Sequence, residues 1–397
     1  MAWQETRVMD ERLKFVSDWL SQDWTVAELC RRYAVSRKTG YKFLARYRAE
    51  GFDGLKDRSR APHSHPQAVA ADRQTAILEL RASRPTWGPK KLKAWLERER
   101  SEVLWPAEST IGEIIERGGL VCRRKLRRVG VPQLSPLTAA DVANRVWGMD
   151  FKGWFRTGNG KRCDPFSLSD LASRYVLRLQ ALDKPDGGHV WPVLDAAFRE
   201  FGLPEVIRSD NGPPFASIAA GGLSWLAVQL VKAGVTPERI EPGKPQQNGR
   251  HERLHRTLKQ ETARPPAADR RAQQHRFDDF RRSFNHDRPH EALGQDTPAA
   301  HYQPVPRSYS GRLSEPDYPA DHQVRRVRSN GDIKWRGDRI FLSEALIGEP
   351  VGITETEDGL HAVYYGPVFL GRLDRDGAFH NRVPPPPDNP QPQTRNV

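Results

Sequence analysis

Apolar positions recur at helical spacing from Asp10 to Glu50, in three blocks. Leu13, Val16 and Leu20 share one stripe, and the stretch TVAELCRRYAVSRKTGYKFLARY carries Val26, Leu29, Tyr33, Tyr41, Leu44 and Tyr47. Thr25 with Glu28 three residues on forms a capping box, and Ser36 caps the next block by accepting a backbone N–H. The pattern predicts helix, turn, helix. Gly40 inside the last helix costs about 1 kcal/mol against Ala unless a close approach requires it. A turn-rich stretch, GLKDRSRAPHSHP, closes this module. Further helices are predicted over 74–82, from Pro89 to Arg98, and over 109–117, the last stopped by Gly118-Gly119.

From Asn144 the period changes. RVWGMDF reads as a strand, PFSLSDLASRYVLRLQAL as a hairpin turning near Asp170, His189–Phe201 as a helix and EVIRS as a strand. A helix over 224–233 follows, then the loop EPGKPQQNG, the helix RHERLHRTLKQE and another helix over 273–285. Beyond a proline-bearing linker, Asn330-Gly331 is a type I′ hairpin signal. The strands VGITET, HAVYY and VFLGRL are parted by Asp358-Gly359 and Gly366-Pro367. The simplest account is a multidomain chain. It has all-α helix-turn-helix modules over 1–60 and 61–139, an α/β core over 140–305, a linker over 306–322, a small β-barrel over 323–380 and a disordered Pro-rich tail over 381–397.

Charge adds a partner to this picture. The 397 residues hold 63 Lys and Arg against 50 Asp and Glu, a formal +13. The first 140 residues alone hold 27 basic against 17 acidic side chains, so most of the excess lies there. A polyanion suits such a balance, and nucleic acid is the leading one. In a helix-turn-helix the second helix enters the major groove, which here presents Arg37, Lys38, Lys42 and Arg46, although a plain helical hairpin has the same pattern. The run CRRKLRRVG sets Arg123, Arg124, Lys125, Arg127 and Arg128 close together, suited to phosphate or to a solvated linker. Three scattered cysteines, Cys30, Cys122 and Cys163, support neither a disulfide framework nor a cysteine-rich zinc site. The absence of a long apolar run predicts a soluble cytoplasmic protein without membrane contact.

Three acids carry the candidate chemistry. Asp150 ends one apolar strand and Asp210 ends another, where Asn211-Gly212 turn the chain. Glu252 begins a helix that Asn248 caps. Converging carboxylates stay ionised together only if cations neutralise them, and Mg²⁺ or Mn²⁺ suits hard oxygen ligands. Two ions about 3.5–4 Å apart would clamp the attacking and leaving oxygens of a displacement at phosphorus. Arg256 and Lys259, four and seven residues after Glu252, share its face and are placed to grip DNA, with Leu254 and Leu258 turned inward. Each acid alone is commonly a turn residue or a solvated ion pair. Asp170 is the rival acid, read as an Asx-turn residue. His251 and His255 flank Glu252 and could approach a scissile phosphate, but are read as exposed helix residues outside the triad.

WGMDFKG, SDNGPPF, GKPQQNGRHERLHRTLKQE and NHDRPHEALGQDTPAAHY resemble the core motifs of bacterial insertion-sequence transposases with a retroviral-integrase-like DDE domain. The resemblance covers nearly the whole chain. It implies an RNase H-like core with the triad Asp150, Asp210 and Glu252, in which Asp150 bridges two metal ions and Asp210 and Glu252 each complete one. It implies metal-activated water cutting a phosphodiester at an element's end, then attack of the freed 3′-hydroxyl on target DNA. Double-stranded DNA, as terminal repeats and as target, is the implied partner, and joining two ends calls for a dimer or higher homo-oligomer. No His-His-Cys-Cys zinc module precedes the core, since His63 and His65 lack cysteine partners. A DNA-binding regulator without catalysis and an RNase H-type nuclease are the competing expectations.

Overall fold

A computed structural model describes residues 8–58, 68–121, 137–217, 219–240, 247, 249–304, 307–356 and 358–381. The basic run Arg123–Arg128, Asn248, His63, His65 and the tail beyond 381 lie outside these described residues. The chain forms two compact units, 1–69 and 70–397.

In the first unit, α1 (Val8–Leu20), α2 (Val26–Arg32) and α3 (Arg37–Glu50) close around Phe15, Val16, Leu29, Cys30, Leu44 and Leu55. The Thr25–Glu28 capping box and the Ser36 cap are both formed. Gly40 is explained by a close approach, because a Cβ there would stand 2.5 Å from Cys30 Sγ and 3.1 Å from the Phe15 ring. Tyr41 departs from the predicted stripe and is 60% exposed. Lys38, Lys42 and Arg46 recur every four residues and lie roughly 200° round the helix from Gly40 and Leu44. Arg37, Lys38 and Lys42 are exposed, and Arg46 is half-buried with its guanidinium 5.8 Å from the Phe43 ring.

The second unit begins with α4 (Ala71–Ser83), α5 (Pro89–Glu99) and α6 (Glu108–Arg117), which bury Ile77, Trp87, Leu92, Leu96 and Ile111. An α/β core follows: β1 (Val146–Phe151), β2 (Phe155–Arg156), β3 (Arg162–Asp170), β4 (Val176–Leu182), α7 (Gly187–Phe201), β5 (Val206–Ser209), α8 (Trp225–Lys232), β6 (Thr236–Arg239), α9 (Gly249–Thr262), α10 (Arg270–His286) and the short α11 (Pro298–His301). The sheet runs β2-β3-β1-β5-β6, with β4 also on β3. β1 is antiparallel to β3 and parallel to β5. Because side chains alternate across a strand, Trp147, Met149, Phe166 and Leu168 face the core under α7 and α8. On the other face α9 and α10 lay Leu254, Leu258, Phe277 and Phe280 against Val176 and Leu179.

The C-terminal strands are β7 (Gln323–Arg326), β8 (Asp332–Trp335), β9 (Asp338–Phe341), β10 (Pro350–Glu355), β11 (His361–Tyr365), β12 (Val368–Leu373) and β13 (Phe379–His380). Where a small barrel is expected, they form an open sheet, β13-β12-β11-β10-β7, beside a two-stranded ribbon, β8-β9, and no sheet closes among the described residues. The face that closure would cover is buried differently. Val351, Ile353, Val363 and Leu370 share one apolar cluster with Ala227, Val228 and Val231 of α8. Asn330-Gly331 turns the chain but joins no paired strands, since β7 pairs with β10. The hairpin is made instead by Arg336-Gly337, both at positive φ, between Trp335 and its partner Asp338. No helix among the described residues is long and apolar enough to cross a membrane.

Candidate active site

Register places the first two acids. Residues paired between β1 and β5 are 60 apart, Val146 with Val206, Trp147 with Ile207 and Gly148 with Arg208. Asp150 and Asp210 are separated by the same interval, two positions beyond the last pair, Asp150 within the end of β1 and Asp210 just past the end of the parallel strand β5. Asp150 is largely buried, with 14% of its side chain accessible. Asp210 sits just past β5, where its Oδ1 accepts the Gly212 N–H at 3.1 Å.

The third acid comes from α9. Its buried stripe is His251, Leu254, His255, Leu258 and Thr262. Glu252, Arg256 and Lys259 are exposed on the remaining surface, and the Glu252 carboxylate makes no hydrogen bond or ion pair among the described residues. The three acids do not form a single cluster of ligand atoms. Among the described residues the group that does, with its atoms within 4.8 Å of one another, is Asp150, His251 and His255.

These histidines correct the expectation of exposed residues, since His251 is 2% and His255 4% accessible. The reason lies in the facing strands. Gly148 and Asp150 share the α9 side of β1, and the residues opposite them on β3 are Ser169 and Ser167. Gly148 leaves room for an imidazole, because a Cβ there would stand 2.4 Å from His251 Nε2. His251 Nε2 then lies 3.2 Å from Ser169 Oγ, and His255 Nε2 lies 2.7 Å from Ser167 Oγ. His255 Nδ1 faces Asp150 Oδ2 at 3.6 Å, an orienting contact too long for a hydrogen bond. Ser167 Oγ also lies 3.2 Å from the Asp150 carbonyl oxygen, so its hydroxyl joins His255 Nε2 to the backbone of β1. With their Nε2 atoms so engaged, the two histidines brace α9 across β1. The sequence held a signal for this: both occupy the same 3-4-4 stripe as Leu254, Leu258 and Thr262.

Burial drives His251 down to about 4, and it drives His255 well below its ordinary value with help from His251 and Lys152. Asp170 is wholly buried, which raises its pKa; it accepts the Ser173 N–H at 2.7 Å, the Ser173 hydroxyl and the Asn144 N–H at 2.8 Å. It ties the β3–β4 turn to the start of β1, as an Asx-turn residue does.

Family comparison covers most of this architecture. A helix-turn-helix domain matches residues 11–63 and a homeodomain-like domain residues 39–115. Integrase core domains match 140–245 and 233–298, and the C-terminal domain of IS481 family transposases matches 322–378. The uncharacterized 31.7 kDa protein of insertion element IS407 from Burkholderia multivorans is 29% identical over 244 residues, 60% of this chain and 82% of that one. The chain is an insertion-sequence transposase of the DDE class. The transposase is also 28% identical to the uncharacterized 39.2 kDa protein of insertion element IS476 from Xanthomonas euvesicatoria, over 69% of this chain and 77% of that one. Among solved structures, an intasome of simian T-cell lymphotropic virus in complex with PP2A regulatory subunit B56 gamma aligns at 15% identity and a TM-score of 0.36. It covers 74% of this chain and 97% of that one.

The buried brace is expected to make the transposase acid-sensitive. His251 has a folded pKa of about 4 against an ordinary value near 6.5, so falling pH protonates the unfolded chain first. Stability is full above about pH 6.5, is lost as pH drops below it, and the loss levels off below about 4. At pH 5 this one group costs about 2 kcal/mol. Urea denaturation at pH 8 and pH 5 is expected to show the wild type losing more midpoint than His251→Gln; equal losses would mean that His251 is not held neutral.

Proposed function

We propose that Asp150, Asp210 and Glu252 are the catalytic acids of this transposase, on an RNase H-like core that cuts and joins DNA strands at the ends of a mobile element. The shared 60-residue interval of the β1–β5 ladder and of the two aspartates carries this reading. Both integrase-core matches support it, one spanning the aspartates and the other Glu252. The donors fit a hard divalent cation, Mg²⁺ or Mn²⁺: they are carboxylates, and those of Asp210 and Glu252 are little engaged by other groups among the described residues. Bound ions, two on this reading, would supply an activated water and offset charge on the phosphate.

The chain's own residues do the rest. Asp150 is oriented by His255, Asp210 by the Gly212 N–H, and Glu252 is presented by a helix fixed to β1 through His251. Arg256 and Lys259, exposed beside Glu252, hold backbone phosphates, and Arg37, Lys38, Lys42, Arg46 and the basic run Arg123–Arg128 hold duplex DNA elsewhere. Joining two ends requires at least two protomers on DNA. The test uses labelled duplexes from the DNA flanking the gene. Wild type with Mg²⁺ or Mn²⁺ is expected to give cleaved and joined products and Glu252→Gln none, whereas specific binding without products in either protein would favour a regulator.

A further inference from the structure

A groove of about 1170 Å³ runs between the start of α5, the β3–β4 turn, α9 and the segment after α10. Its walls carry Lys91, Arg174, Arg250, Arg253, Arg256 and Arg288. The lining carboxylates are Asp170 and Glu291; the first is committed to Ser173 and Asn144, and the second pairs with Lys90 at 3.3 Å. Arg288 is held by Glu261 at 3.0 Å.

Arg174 stands at a φ of +67° in the turn, a conformation that non-glycine residues seldom adopt. Its buried Nη1 has no hydrogen-bond partner, and neither has the buried Nε2 of His290. Burial, then Arg250 and Arg253, lowers Arg174 to about 10; burial, then Arg288, lowers Lys91 to about 8. Like charges gathered in a low-dielectric groove with an orphaned guanidinium donor are costly unless an anion receives them. A phosphodiester offers one charge and two acceptor oxygens of the right kind.

We propose that this groove holds the sugar–phosphate backbone of a DNA strand running out of the catalytic site. The inference rests on the DNA-joining reading above and names a contact surface for it. Glu252 does not itself line the groove, but Arg256 does and lies about 40° round α9 from it, so a strand leaving the groove over Arg256 reaches that acid.

The test is equilibrium binding by the full chain in EDTA, followed by fluorescence anisotropy across a salt series, on a terminal-repeat duplex and a random duplex. Arg174→Gln and Arg253→Gln are each expected to weaken binding to both duplexes on the order of tenfold. Each should lower the slope of log affinity against log salt by about 0.9, the loss of one phosphate contact. Arg253→Lys, which keeps the charge, should keep the slope. Arg282→Gln, a 74% exposed cation outside the groove lining, should match wild type. Wild-type affinity and slope in both Gln variants would overturn the proposal, as would equal losses in Arg253→Lys and Arg253→Gln. If inorganic phosphate raises the melting temperature while DNA binding ignores the variants, the groove is a small-anion site and the proposal falls. A wild type that does not prefer the terminal duplex, with random-duplex binding still sensitive to the variants, would sink end recognition and leave the groove standing.

Discussion

Asp150→Asn is expected to abolish strand cleavage and joining, by roughly a thousandfold or more, while the protein stays folded and still binds duplex DNA in EDTA. Asparagine has the shape of aspartate and leaves the backbone pairing of residue 150 with Ser167 intact. What it lacks is the charge beside Asp210 and the second anionic oxygen that a divalent cation needs. His255 Nδ1 then faces an amide, which can turn either its oxygen or its NH₂ to the ring, so nothing drives the side chain out of place. Product formation on end duplexes, paired with Mn²⁺ titration calorimetry, measures both losses. Cleavage within tenfold of wild type would remove Asp150 from the catalytic set.

Gly148→Ala carries a prediction whose sign is diagnostic. In a strand interior the exchange ordinarily stabilises by about 0.5–1 kcal/mol, because alanine loses less backbone freedom on folding. Here the new methyl would stand 2.4 Å from His251 Nε2 and 2.8 Å from Leu171 Cδ2. Overpacking of this kind costs about 1–3 kcal/mol, and it pushes α9, with Glu252 on it, away from β1. Activity should fall by roughly a hundredfold, since a displacement near 1 Å at the reacting groups has that effect. Removing the obstacle in Gly148→Ala/His251→Ala should recover much of the melting temperature but not the activity. A stabilised single variant would show that the helix does not lie on this strand.

The long elements were legible because their periodicity is strong: α1 to α10, β1, β3 and β4 all follow from apolar spacing and caps. β6 escaped because Thr236–Arg239 has no apolar alternation and holds Pro237, which survives at a sheet edge where no ladder N–H is required. The C-terminal hairpin was misplaced because Asn330-Gly331 is the stronger local signal, while Arg336 adopts positive φ only under the constraint of β8 and β9. The two aspartates were readable as strand ends, yet their common interval with the ladder appears only in the paired sheet. The histidine brace depended on serines more than 80 residues away, which no local pattern reveals.

Sharing α8 between the core and the C-terminal sheet binds the fate of one to the other. A copy of the gene interrupted after codon 305 would encode all three proposed catalytic acids but leave Ala227, Val228 and Val231 facing water. Such a fragment carries an adhesive surface. It would be drawn into aggregates and cleared by proteolysis instead of persisting as a soluble competitor for the DNA ends, so damaged copies would do little to restrain intact ones in the same cell.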